Sequence, residues 1–154
     1  MKLKFIALAV AAASAAPAFA AVNAADLTAA YAAGRYINMS GASATKASVK
    51  ESFAAACSDD LVSFTADGKD INAYGCTIAA GKGYPAAWVG QAAVLFHTVS
   101  GGSLNSILGM STDPDQQVEF VKTTFDSCTV DGTNNYVACE TENRRSNGGF
   151  SDVE

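Results

Sequence analysis

Tyr36-Ile37-Asn38-Met39-Ser40-Gly41-Ala42-Ser43 is an apolar run that ends in a small, hydroxyl-bearing turn. The pattern returns at Ala93-Val94-Leu95-Phe96 before Ser100-Gly101-Gly102-Ser103, and more faintly at Gly149-Phe150 before Ser151-Asp152. A strand that ends in Gly and Ser exposes backbone N–H groups and hydroxyls, and the first two turns open onto helix-like sequence. A helix start carries unbonded donors and partial positive charge, so such a turn can hold an oxyanion. Converging at one end of a parallel sheet, these turns would make an anion pocket.

Around these turns the chain reads as α/β. Alanine-rich residues 21–33 suit a short helix, which Gly34 breaks. Val49, Phe53 and Cys57 recur at helical spacing, predicting a helix over about 43–57 that Ser43 or Thr45 could cap. Leu61-Val62-Ser63-Phe64-Thr65 alternates, Asp67-Gly68 marks a turn, and Ile71 to Ile78 returns, so residues 61–79 read as a hairpin. The unbroken apolar run 92–98 suits a parallel strand covered on both faces, with a short helix after it at about 102–110. Val118, Val121 and Phe125 give another helical spacing, followed by a cysteine-closed hairpin at about 126–140. Glu142 to Gly148 reads as polar loop, and Gly149 to Val153 as a short extended piece.

The first 20 residues read as a cleavable signal peptide. Lys2 and Lys4 precede the apolar stretch Phe5 to Ala16, and Ala18-Phe19-Ala20 is an A-x-A cleavage site. No later stretch approaches the length of a membrane span, so an exported, periplasmic or secreted protein without membrane insertion is expected. The remaining 134 residues fit one domain and carry eight basic against fifteen acidic side chains, a net charge of about −7. With no basic run, nucleic acid and anionic membrane surfaces are poor partners. Four cysteines in an exported chain favour disulfides, and the two local pairings are expected, Cys57–Cys76 and Cys128–Cys139. Their spacing does not match a zinc site, so neither metal nor cofactor is expected.

The order of the turns resembles the phosphate-binding proteins of ABC-type uptake systems, which have the type II periplasmic-binding-protein fold. That family's first lobe has a strand with a Gly-Ala-Ser turn and helix, a strand with a Ser/Gly turn, and a strand with a Gly-x-Ser-Asp turn. Residues 21–154 would then be an incomplete first lobe: a short parallel sheet with helices plus inserted hairpins, in a diverged, cysteine-bearing branch. The chain stops at Glu154, just after the third turn, and the family's second lobe is absent. The resemblance implies capture of inorganic phosphate or a related oxyanion without chemical change, and service to an ABC-type membrane permease.

Candidate ligand-binding residues are Ala42, Ser43, Gly101, Gly102, Ser103, Ser151 and Asp152. Ser43 offers a hydroxyl and the helix start, although it could simply cap that helix. Gly41 and Ala42 keep side chains away from a ligand, and Gly101-Gly102-Ser103 would form a second wall or a plain strand-to-helix turn. Asp152 would accept a hydrogen bond from the proton that phosphate retains near neutral pH, which fully ionised sulfate lacks; otherwise it is a solvated acid. His97 reads as a satisfied or partly exposed structural residue, Trp88, Phe96 and Phe120 as core, and Arg144 and Arg145 as a solvated pair. No nucleophile–base arrangement has a recognisable context, so an enzyme is not expected. The competing expectation is an exported structural or interaction protein that keeps the fold without ligand binding.

Overall fold

The computed structural model describes residues 22–66 and 68–151. The signal-peptide reading, Asp67 of the expected turn, and Asp152 lie outside the described residues. Helix α1, Ala24–Ala32, starts at Asn23, whose side chain accepts from the N–H groups of Ala25 and Asp26 while Asp26 accepts from the Asn23 N–H. That reciprocal cap satisfies donors that a helix start leaves open. Strand β1, Tyr36–Gly41, follows, and a 3-10 turn at Ser43–Thr45 leads directly into α2, Lys46–Ala54.

Next come the hairpin strands β2, Val62–Thr65, and β3, Ile71–Thr77, then β4, Ala92–Thr98. A 3-10 turn at Gly102–Leu104 precedes the one-turn helix α3, Asn105–Leu108. The remaining strands are β5, Val118–Val121; β6, Thr129–Val130; β7, Asn135–Val137; β8, Thr141–Arg144; and β9, Gly148–Phe150. Seven strands form one mixed sheet in the order β6-β7-β2-β3-β4-β1-β9, and β5 pairs with β8 in a separate antiparallel ribbon. The hairpin β2–β3 is part of the main sheet, because β3 pairs antiparallel with β4 over its full length. It is thus not an appendage to a purely parallel sheet.

Alternation on β3 and β4 divides the core. Tyr74, Cys76, Ala93 and Leu95 pack with Val49 and Phe53 of α2 on one face. Ala73, Val94 and Phe96 pack on the other with Leu27 of α1 and Phe120 of β5. This is a mixed α/β architecture with helices on both sides of the sheet. Both expected disulfides are present: Cys57–Cys76 ties the end of α2 to β3, and Cys128–Cys139 closes the β6–β7 hairpin. Among the described residues, no helix is long and apolar enough to cross a membrane.

Two segments depart from expectation. Val118 to Val121 is strand β5 and Thr141 to Arg144 is strand β8, where a helix and a polar loop were expected. The helical reading fails because Phe125 adopts φ 55°, which no right-handed helix accommodates, while Val118, Phe120 and Val121 are buried against the sheet. Arg144 is not solvated. Its guanidinium lies 4.2 Å from the Phe96 ring centroid, with Phe120 and Tyr31 also against it, and it pairs with Glu142. An aromatic surround and one carboxylate make this burial tolerable.

Candidate functional site at the carboxyl edge

β1 lies between β4 and β9 and runs parallel to both. Their carboxyl ends therefore share one edge, and each of the three Ser/Gly turns leaves from it. Direct contacts tie the turns together. The Ala42 N–H donates to the Phe150 carbonyl at 3.0 Å, joining the first turn to β9. The Ser40 hydroxyl donates to the Asn105 carbonyl at 2.7 Å, and the Ser146 hydroxyl donates to Ser40 Oγ at 2.6 Å. Gly149 passes so close to α3 that an added Cβ would sit 2.5 Å from Ser106 Cα.

A polar seam delivers β9 to this place. Asn38 Nδ2 donates to the Arg145 carbonyl at 3.0 Å, the Asn38 N–H donates to Asn147 Oδ1 at 2.8 Å, and the Asn147 N–H returns to the Asn38 carbonyl. The stretch that read as polar loop uses its polarity to hold β1.

The predicted residues differ in what they offer. Ala42 is buried and its N–H is engaged by Phe150. The Gly102 N–H donates to the Val99 carbonyl, and Gly101 and Gly102 take φ 83° and 63°, which shapes the second turn around Asn105. Ser103 is tied into that turn through its carbonyl, which accepts from the Ser106 hydroxyl at 2.6 Å. Ser151 is exposed beyond β9. Ser43 is exposed and is the cap residue of neither element: Ala42 precedes the 3-10 turn and Thr45 precedes α2. The N–H groups of Ser43 and Ala44 have no partner among the described residues, so the start of α2 keeps open donors.

Each turn also faces different surroundings. Ser100 lines a cavity with Asp115 and Glu119, a poor environment for an anion. Phe150 lines an apolar cavity with Ile37, Met39, Phe53 and Leu95. Ser43 and Ala44 line a third cavity, with Lys46, Lys50 and Asn72 but no carboxylate. Lys46, Lys50 and Asn72 were missed by sequence reasoning. Only the fold brings Asn72 of β3 to the same cavity as the lysines of α2.

His97 corrects another expectation. It is fully buried, and neither ring nitrogen has a partner among the described residues. Burial, with the Lys46 charge as a lesser cause, holds its pKa below 6.5. As pH falls below the unfolded value, the unfolded chain takes up this proton first. Stability is then lost downward from about pH 6.5, by at most about 1.4 kcal/mol per pH unit. Urea midpoints measured at pH 7 and pH 5 should fall further for the parent than for His97→Phe. Equal falls would contradict the buried neutral imidazole.

No protein-family model matches the chain, and no curated protein or solved structure matches it. The class that fold and chemistry define is a mixed α/β protein braced by two disulfides. Among the described residues, no group of three or more His, Cys, Asp or Glu side chains could hold a metal ion.

Proposed function

We propose that this chain is an exported, oxyanion-capturing lobe of phosphate-binding-protein type. The observation that carries the reading is the placement of β1 between two parallel neighbours, with all three Ser/Gly turns at their carboxyl edge. In open α/β sheets, ligands bind beyond that edge, where the strand order reverses. The open N–H groups of Ser43 and Ala44 supply donors, Gly101 to Ser103 and Ser151 supply the neighbouring walls, and Asp152 selects a protonated anion. Inorganic phosphate is the ligand and an ABC-type permease the partner; no bond of the ligand is broken.

Calorimetric titration with phosphate and sulfate at pH 7 tests this. Phosphate should bind at least tenfold more tightly, about 1.4 kcal/mol, and Asp152→Asn should erase the preference. Equal binding of the two anions by the parent chain would refute the role given to Asp152.

The second reading, a structural or interaction protein, is favoured by the sheet edge at β9, where partly exposed Phe150 adjoins the apolar cavity. The double variant Ser43→Ala/Asp152→Ala separates the two. An anion-dependent melting shift that the double variant loses supports capture, and one that it leaves unchanged supports the interaction protein.

A further inference from the structure

β9 is the last strand of the main sheet, and its outer side pairs with no strand among the described residues. Such an edge presents a row of unbonded N–H and C=O groups, which another strand satisfies and a helix does not. The usual protection against pairing is missing, because Gly148-Gly149-Phe150 contains neither a charge nor a proline. One face of the strand is filled, since Gly149 lies against Ser106 of α3. The other is open: Phe150, 36 % exposed, lines a cavity of about 320 Å³ with Ile37, Met39, Val49 and Phe53.

The side chains of this edge complement one another. Gly148 stands opposite Met39 of β1, and Phe150, two positions on, faces the same side. A second β9 laid antiparallel about Gly149 brings its own Phe150 opposite Gly148, on that side of the sheet. Gly148 leaves room there, and a Cβ added to it would already reach Met39 Sδ at 3.2 Å. The incoming ring therefore covers Gly148 and the uncovered part of Met39, and an aromatic over an edge glycine is a favourable cross-strand pair.

Charge favours the same orientation. Arg144 and Arg145 precede β9, and Asp152-Val153-Glu154 follow it, outside the described residues. An antiparallel neighbour carries its acidic end toward Arg145 of the first copy, whereas a parallel one would set acid beside acid. Arg145 is exposed and has no ion-pair partner among the described residues. With Tyr36, Asn143 and Asn147 it lines a cavity of about 390 Å³ that no described carboxylate enters.

We propose that β9 is the surface through which two copies of this chain associate, antiparallel about Gly149, joining their main sheets into one. The contact is isologous, so each copy supplies one Phe150 ring and one Arg145. It uses the outer side of β9 and leaves the carboxyl edge of the sheet free, so it stands or falls independently of anion capture.

Sedimentation velocity of the chain with its disulfides intact, from about 1 to 100 µM, tests the proposal. The expected result is a monomer that converts to dimer as concentration rises. Arg145→Glu and Glu154→Arg should each weaken association by about tenfold, because like charges then meet twice in the symmetric contact. An equimolar mixture of the two variants should regain the parent's association, since each reversed charge meets its opposite. Phe150→Lys, with a melting temperature near the parent's, should stay monomeric. The charge pair leaves Phe150 in place and keeps the test decisive should Phe150→Lys fail to fold. A parent chain that is monomeric throughout, a folded Phe150→Lys that still dimerises, or a mixture no stronger than its separate components would overturn the interface.

Discussion

Replacing Gly41 by alanine is expected to cost about 3 kcal/mol or more and lower the melting temperature by about 10 °C. Gly41 adopts φ 130°, a conformation that side-chain-bearing residues rarely take. A Cβ there would lie 1.9 Å from the Phe150 carbonyl oxygen and 2.9 Å from the Phe150 nitrogen, both backbone atoms that cannot swing aside. The methyl group would therefore push β9 off β1 and separate the first turn from the third. Such a loss is a large part of the roughly 5–15 kcal/mol that holds an ordinary domain folded. Gly34→Ala is the control: it also has positive φ, but its added Cβ would meet nothing within 4 Å. A Gly41→Ala melting temperature no lower than that of Gly34→Ala would mean that β9 does not lie against β1.

Removing Cys57–Cys76 should have an effect of similar size. The bond closes a loop with sequence separation 19, and the chain-entropy account assigns about 3 kcal/mol to constraining it in the unfolded state. Cys76 is also fully buried beside Ile78 and Ala93, so the paired substitution to alanine removes core volume as well. Cys128–Cys139, with separation 11, closes a hairpin whose strand β6 is exposed, and its loss should cost less. Urea unfolding of Cys57→Ala/Cys76→Ala against Cys128→Ala/Cys139→Ala gives the comparison. A larger loss from the second pair would contradict the view that the first anchors α2.

What could be read from residues was local. Short-range pattern gave α1, β1, the body of α2, the β2–β3 hairpin and β4, because each is encoded by its own periodicity and punctuation. The pairing of β5 with β8 was not legible, since Val118 to Val121 finds its partner twenty or more residues later, and Val118, Val121 and Phe125 mimic a helical face. Arg144 looked solvated among polar neighbours because the rings that cover it come from α1, β4 and β5. The turns themselves were visible, whereas their surroundings were not. Nothing local says that Ser100 faces Asp115 and Glu119, or that Ser43 shares a cavity with Asn72.

The same contrast decides which turn matters most. Ser43 combines unbonded amides with nearby lysines, while Ala42 and Gly102 have N–H groups already engaged by Phe150 and Val99. In the proposed reading, capture at this edge would therefore centre on the start of α2.

Phosphate titration followed by amide NMR tests the central claim most directly. The amide signals of Ser43, Ala44 and Lys46 should move together with those of Ser103 and Ser151, along one saturating curve. Shifts scattered over the surface without saturation, or none at all in these five amides, would contradict oxyanion capture at the shared strand ends.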